Sequence, residues 1–137
     1  GYKNIRRSRS HGVELAVAFN AGLDWRFNFQ STFLNTLNLD DNTELLRRPG
    51  EIHRIFVDHK LSAKSNLGIE WEYRGRTADV GGFLPSCELT HLSYRHAVDQ
   101  KRTLFVKLEN VFDKQYQRVL NYGAPGRLLR LEYQVKF

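Results

Sequence analysis

The chain is nearly empty of sulfur: among 137 residues there is one cysteine, Cys87, and no methionine. A single thiol excludes an internal disulfide and a cysteine-based metal cluster. Without Met, and with Gly1 at its head, the sequence is expected to be a processed product or a piece of a longer chain. No signal peptide is recognisable, because the basic stretch Ile5–His11 leads into no apolar core segment. Long apolar runs are missing too. The best tract, Val13–Phe19, is interrupted by Glu14 and falls far short of the roughly 18 residues a membrane helix needs. Mean hydropathy is -0.52, a value that suits a soluble protein. Barrel strands alternate, however, and their hydropathy cancels, so membrane-crossing strands are not excluded.

What the chain does contain is alternation. Counting back from the end, Phe137, Val135, Tyr133, Leu131 and Leu129 share one face, and Lys136, Gln134, Glu132 and Arg130 the other. Period-two alternation is a strand with one apolar and one polar face. Ending on an aromatic, it suits the last strand of a transmembrane barrel, between lipid and a watery lumen. An edge strand of a soluble sandwich would alternate in the same way.

The pattern recurs upstream. Val13, Leu15, Val17 and Phe19 alternate with smaller or polar residues, and Asn20–Gly22 makes a turn. Leu23, Trp25, Phe27 and Phe29 then fall in step, and Phe33 rejoins their face. Further strands are predicted from about His53 to Leu61, through Leu67, Ile69, Trp71 and Tyr73, from about Glu88 to His96, and through Leu104, Val106 and Leu108. Short turns, one of them at Ala63–Asn66, alternate with long polar stretches that begin at Leu37, Gly75 and Asn110. The prediction is all-β: an antiparallel up-and-down transmembrane β-barrel segment of about seven strands, with tight turns at one end and large loops at the other. Strands of roughly 9–11 residues have the length to cross a membrane at a tilt. Trp25, Trp71, Tyr73, Tyr94, Tyr133 and Phe137 fall near strand ends or on apolar faces, as interfacial rings do.

The net charge of +6 raises the question of a nucleic-acid or anionic-lipid partner. Its distribution answers against nucleic acid. Arg26, Glu70, Glu72, Arg74, Lys107, Glu109, Arg130 and Glu132 lie opposite the apolar rows, with both signs mixed along single strands. A nucleic-acid surface wants one sign; mixed charge suits a hydrated lumen. The short basic clusters Arg6-Arg7-Ser8-Arg9 and Lys101-Arg102 read as rim residues.

Catalysis finds no support. His53 and His59 share strand parity but lie about 20 Å apart, too far for one metal. His91 and His96 have opposite parity. No Ser-His-Asp set, paired catalytic carboxylates or phosphate loop stands out, and Cys87, beside Pro85, reads as an incidental thiol. No enzyme activity, metal or cofactor is expected.

One stretch resembles a known family. Leu108-Glu109-Asn110-Val111-Phe112-Asp113-Lys114-Gln115-Tyr116, then Asn121–Arg127 with its Pro125-Gly126-Arg127 turn, then a terminal aromatic strand, is similar to the C-terminal end of TonB-dependent outer-membrane receptors. Val111 stands where that family usually has Leu. Ser10–Leu15 resembles the family's Gly-Val-Glu strand, and Leu45–Pro49 the start of a strand after a long loop. The likeness runs over essentially the whole chain and lies nearest the cobalamin and siderophore receptors. It implies that residues 1–137 are the C-terminal portion of a barrel of about 22 strands, with the N-terminal plug domain absent. It implies a Gram-negative outer-membrane location, and partners in outer-membrane lipid, the rest of the receptor, the TonB system and the barrel-insertion machinery. That machinery would read Phe137. Asn110, Phe112, Asp113, Tyr116, Gly126 and Arg127 are expected to be structural. Asn110 and Asp113 would form turns, Phe112 and Tyr116 anchor the rim, Gly126 allow a tight entry into the last strand, and Arg127 pair with a rim carboxylate.

The leading function is therefore TonB-energised uptake of a scarce ligand such as an iron–siderophore or cobalamin. Arg47, Arg48, Asp79 and Tyr122 are the candidate ligand contacts on the long loops. The alternative is a small soluble β-sandwich or barrel that binds ligand or nucleic acid, which would need its apolar rows to pack on each other. A lipid-modifying outer-membrane enzyme, a third class, lacks a visible nucleophile and base.

Overall fold

The computed structural model describes residues 7–137; Arg6, at the head of one basic cluster, lies outside them. Seven strands form one antiparallel sheet: β1 (Ser8–Ala21), β2 (Trp25–Asn38), β3 (Glu51–Lys60), β4 (Ser65–Arg74), β7 (Cys87–Ala97), β8 (Arg102–Glu109) and β11 (Leu128–Val135). They stand in the sheet in chain order, each bonded to the one before. Two small hairpins, β5 (Thr77–Asp79) with β6 (Gly82–Leu84) and β9 (Gln117–Val119) with β10 (Tyr122–Gly123), rise from the long connections. No described helix is long and apolar enough to cross a membrane, which leaves strands as the only described elements that could.

Register turns the alternation of single strands into two continuous surfaces. Phe19, Phe27, Val57, Ile69, Leu92, Leu108 and Leu129 are successive partners across the whole sheet. The adjacent row runs Asn20, Arg26, Asp58, Gly68, Ser93, Lys107 and Arg130. A slip of one residue in any pair would put charge among the apolar side chains, so the pattern fixes the register. Arg26 of β2 and Arg130 of β11 line one shared concavity of about 640 Å³ although four strands separate them in the sheet. The sheet therefore curls, with charge on its concave face and the apolar rows on its convex face.

Burial shows what the sheet lacks. Among the described residues only Ala78, Leu84 and Leu89 are buried apolar side chains, while Phe19, Trp25, Phe33, Ile69, Leu131 and Tyr133 are exposed. The reading as a soluble sandwich needed a second apolar layer, and beyond the main sheet the described residues form only two-stranded hairpins. Among the described residues both edges are open: every residue of β1 and of β11 is exposed. Aromatic rings gather toward the two ends of the convex face. Trp25 stacks on His59 at 3.9 Å near the tight turns; His53 lies between Phe33 and Tyr73, at 5.3 and 5.5 Å, near the loops.

Several boundaries differ from the sequence reading. β2 continues through Leu37 and Asn38, because β1 offers them partners in Arg9 and Ser8. Ser65 and Asn66 open β4 rather than closing a turn, and Leu61 falls in the turn. The stretches from Gly75 and Asn110, expected as plain loops, carry the two hairpins. β11 ends at Val135; Lys136 adds one bond, its N–H donating to Lys101 O at 2.9 Å, and Phe137 lies beyond the ladder.

Candidate functional site

All three long connections lie at one end of the sheet, opposite the tight turns: loop 1 (residues 39–50), loop 2 (75–86) and loop 3 (110–127). The three buried apolar residues belong here. Ala78 and Leu84 come from the loop 2 hairpin, and Leu89 from the concave face beneath it. The small core of the described chain is thus the packing of a loop layer onto one end of the curled sheet.

Asp79 ties that layer together. Its side chain is almost wholly enclosed, with 1 % of its surface exposed. One carboxylate oxygen accepts from Arg47 Nε of loop 1 at 2.8 Å and from Val80 N–H at 2.8 Å. The other accepts from Leu120 N–H of loop 3 at 2.7 Å. A carboxylate with several donors is held in its charged form. The Leu120 N–H, then the Arg47 guanidinium and the Val80 N–H, hold Asp79 below the usual aspartate pKa, against the opposing effect of burial. Arg47 adds a backbone bond, its N–H donating to Ala78 O at 2.7 Å, and adopts a φ of 59°. A non-glycine residue in that region needs such fixing by its surroundings.

Loop 3 is built by the family-like box. Asn110 (φ 50°) closes a turn on itself: its side chain donates to Lys114 O and accepts from Lys114 N–H, both at 2.9 Å. Its own N–H donates to His91 Nδ1 at 3.1 Å, which anchors the turn to β7. Asp113 (φ 53°) accepts from the Arg127 N–H at 2.7 Å and so ties the start of the loop to its end. A β-carbon on Gly126 would stand 2.5 Å from that carboxylate and would have to turn it aside. Arg127 thus meets a carboxylate through its backbone, where a side-chain pairing was expected. Phe112 is exposed; Tyr116 is half-buried under the guanidinium of Arg118, 5.7 Å from its ring.

Below the loops, Arg47, Glu72, Arg74, Cys87, Tyr116 and Arg118 line a narrow cleft of about 30 Å³. It opens toward the concave face, where charges are paired across strands. Lys107 lies 3.5 Å from Glu70 and 4.0 Å from Glu109, and Arg130 is 3.1 Å from Glu109.

Of the four candidate contacts, the fold brings Arg47 and Asp79 together. Arg48 is exposed on loop 1, and Tyr122, 71 % exposed, stands on β10. Sequence reasoning passed over Arg118 and Leu120, because loop 3 has no periodicity to interpret. Glu72 and Arg74 were placed on the polar face by parity, but nothing in the sequence marked them as neighbours of loop 3. Among the described residues, no group of three or more His, Cys, Asp or Glu is placed to hold a metal ion.

No protein-family model matches the chain. Solved structures do. The chain is similar to the ferric-catecholate import receptor Fiu of E. coli in its closed form, with a TM-score of 0.79 at 17% identity, over 95% of this chain and 21% of that one. It is similar to the copper transporter OprC, with a TM-score of 0.83 at 17% identity, over 95% of this chain and 24% of that one. A third likeness is to the siderophore receptor PiuA from Acinetobacter baumannii, with a TM-score of 0.78 at 18% identity, over 95% and 22%. The shared property is the fold, and the chain spans between a fifth and a quarter of the length of these structures.

Proposed function

We propose that this chain is the C-terminal part of the wall of a TonB-dependent outer-membrane receptor, and that the receptor takes up a scarce ligand such as an iron–siderophore or cobalamin. The observation that carries the reading is the two-faced sheet with open edges. Its convex face is a continuous apolar surface seven strands wide, its concave face is charged, and among the described residues β1 and β11 have no outer partners. Lipid on the convex face, a hydrated lumen on the concave one and further strands at both edges would satisfy all three. The likeness to receptors named for ferric-catecholate, siderophore and copper transport supports the class of cargo.

In this reading the loops are extracellular and the tight turns periplasmic, as long and short connections are in such barrels. The partners are outer-membrane lipid, the remaining strands and plug, the TonB system acting through that plug, and the insertion machinery acting at the terminal strand. Arg47, Arg48, Asp79 and Tyr122 belong to the loop layer that ligand meets first, with Asp79 holding Arg47 in place. The protein is a transporter rather than an enzyme, and needs no cofactor of its own.

The test is genetic. The gene containing this sequence is deleted in its Gram-negative host, and uptake of labelled ferric siderophores and of cyanocobalamin is followed under starvation for each. Loss of uptake of one compound, restored by the intact gene and abolished again without TonB, is the expected result. A product found in the soluble fraction, or uptake unchanged for every compound, would overturn the proposal.

A further inference from the structure

The ion pairs of the concave face fall into two networks of different charge balance. In the lower network two cations, Lys107 and Arg130, share two carboxylates, Glu70 and Glu109. In the upper one, three guanidiniums converge on a single carboxylate: Arg54 at 3.0 Å, Arg118 at 3.6 Å and Arg74 at 3.9 Å from Glu72. Among the described residues no second carboxylate lies within ion-pair distance of any of the three. Glu72 is mostly enclosed, with 12 % of its side chain exposed, whereas Arg118 remains half exposed. Three positive charges against one negative leave two uncompensated, at the mouth of a concave, low-dielectric wall where fields are focused.

We infer that Arg74 and Arg118, held by Glu72 and facing the cleft beneath the loops, form a subsite for one oxyanion: a carboxylate or phosphate group. A guanidinium engages a carboxylate through only part of its planar fork of donors, so Arg74 and Arg118 keep N–H groups for a second anion. Arg118 is further positioned by its place over the Tyr116 ring. The cleft, at about 30 Å³, admits a single small group, with the rest of any larger molecule left in the open lumen. Arg54 supplies charge from the adjacent strand, and Glu72 is the positioning residue that spaces the guanidiniums. The inference deepens the uptake reading by giving the class of group presented at the mouth, and anion binding can be measured whether or not anything is transported.

Cys87 lines the same cleft and reports on its occupancy. In the full-length protein in detergent, the rate at which Cys87 reacts with methyl methanethiosulfonate, a small neutral reagent, is read by peptide mass spectrometry. Chloride and inorganic phosphate buffers of equal ionic strength are compared. Phosphate is expected to slow the reaction several-fold, and the protection should disappear in R74Q/R118Q while persisting in K107Q, whose charge lies in the lower network. A chloride-like rate in phosphate, or protection unchanged in R74Q/R118Q, would overturn the subsite. Uptake assays on the same variants report separately on transport: protection can be lost while uptake persists, which upholds the subsite and removes it from the transport path.

Discussion

Arg47 and Asp79 lie thirty-two positions apart and on different loops, yet Arg47 Nε donates to Asp79 Oδ1 at 2.8 Å while the same carboxylate holds the backbone of Leu120 on a third loop. One side chain thus joins three connections that otherwise leave the sheet independently. A buried carboxylate with three donors is a fastening, because losing it would leave those donors unpaired.

Asp79→Asn is therefore expected to loosen the loops without unfolding the wall. Hydrogen exchange in residues 75–86 and 110–127 should quicken, and exchange in β3 and β4 should not. Since the folded pKa of Asp79 is depressed, its contribution is complete above the ordinary carboxylate pKa of about 3.9 and is lost as pH falls through the lower folded value. Loop protection in the native protein should hold from pH 8 to pH 5 and fail only in strong acid, whereas Asp79→Asn should show no such acid step. A native loop layer that loosens near pH 6 would contradict this.

Gly126→Ala should cost about 0.5–1.5 kcal/mol, roughly one hydrogen bond, since the new methyl must turn aside the exposed Asp113 carboxylate and with it the bond to Arg127 N–H. Asp113→Asn/Gly126→Ala should cost less than the sum of the two changes, because both act on one contact. Additive costs in denaturant titrations would show that the contact is not the cause.

The two faces should answer oppositely to charge. Ile69→Arg or Val106→Arg, in the apolar rows, should cost about 2–4 kcal/mol near the membrane midplane. Asn28→Arg and Gln134→Arg, on the concave face, should be tolerated. Glu70 and Lys107 are unsuitable controls because they pair with each other at 3.5 Å. Folding of the full-length protein into lipid decides it; similar costs on both faces would refute the assignment.

Removing Phe137 should leave the sheet intact, since the ladder ends with Val135 and the Lys136 N–H. Deletion is expected to lower the amount of protein inserted in the outer membrane and to leave ligand affinity unchanged, because the loops lie at the opposite end. Surface level and affinity are measured separately. Normal insertion, or a selective loss of affinity, would remove the proposed role of the terminal residue.

Expressed alone, the chain should not persist as a soluble monomer. It would expose two unpaired edges and a wide apolar face. Sedimentation and denaturant unfolding without detergent test this directly, and a cooperative soluble monomer would count against a membrane wall.

The strands were legible because period two is imposed residue by residue: the parity of Ile69 or Lys107 is decided by its immediate neighbours. Curvature of the sheet, and therefore which face encloses space, follows from cross-strand geometry and has no local signature. The box at Asn110–Tyr116 could be interpreted because Asn and Asp build turns with their own side chains, as Asn110 does with Lys114. The Asp79 fastening could not. Arg47, Asp79 and Leu120 have no sequence relation that period or spacing would reveal, and they meet only because strand lengths bring three loops to one level. The end of β2 was missed for a related reason, since Leu37 and Asn38 look like loop until β1 supplies partners.

Chain order in the sheet is also spatial order, and tight turns alternate with long loops along it. The interchangeable unit of this wall is thus a hairpin such as β3 with β4. Excising or duplicating one pair would return the chain to the same end of the sheet, facing the same way, and the new neighbours would still set an apolar row against an apolar row. A single strand added or lost would reverse the direction of everything after it. The width of the sheet can therefore change in steps of two strands, by accidents as simple as an in-frame duplication, provided the loop contacts gathered at Asp79 are kept or replaced.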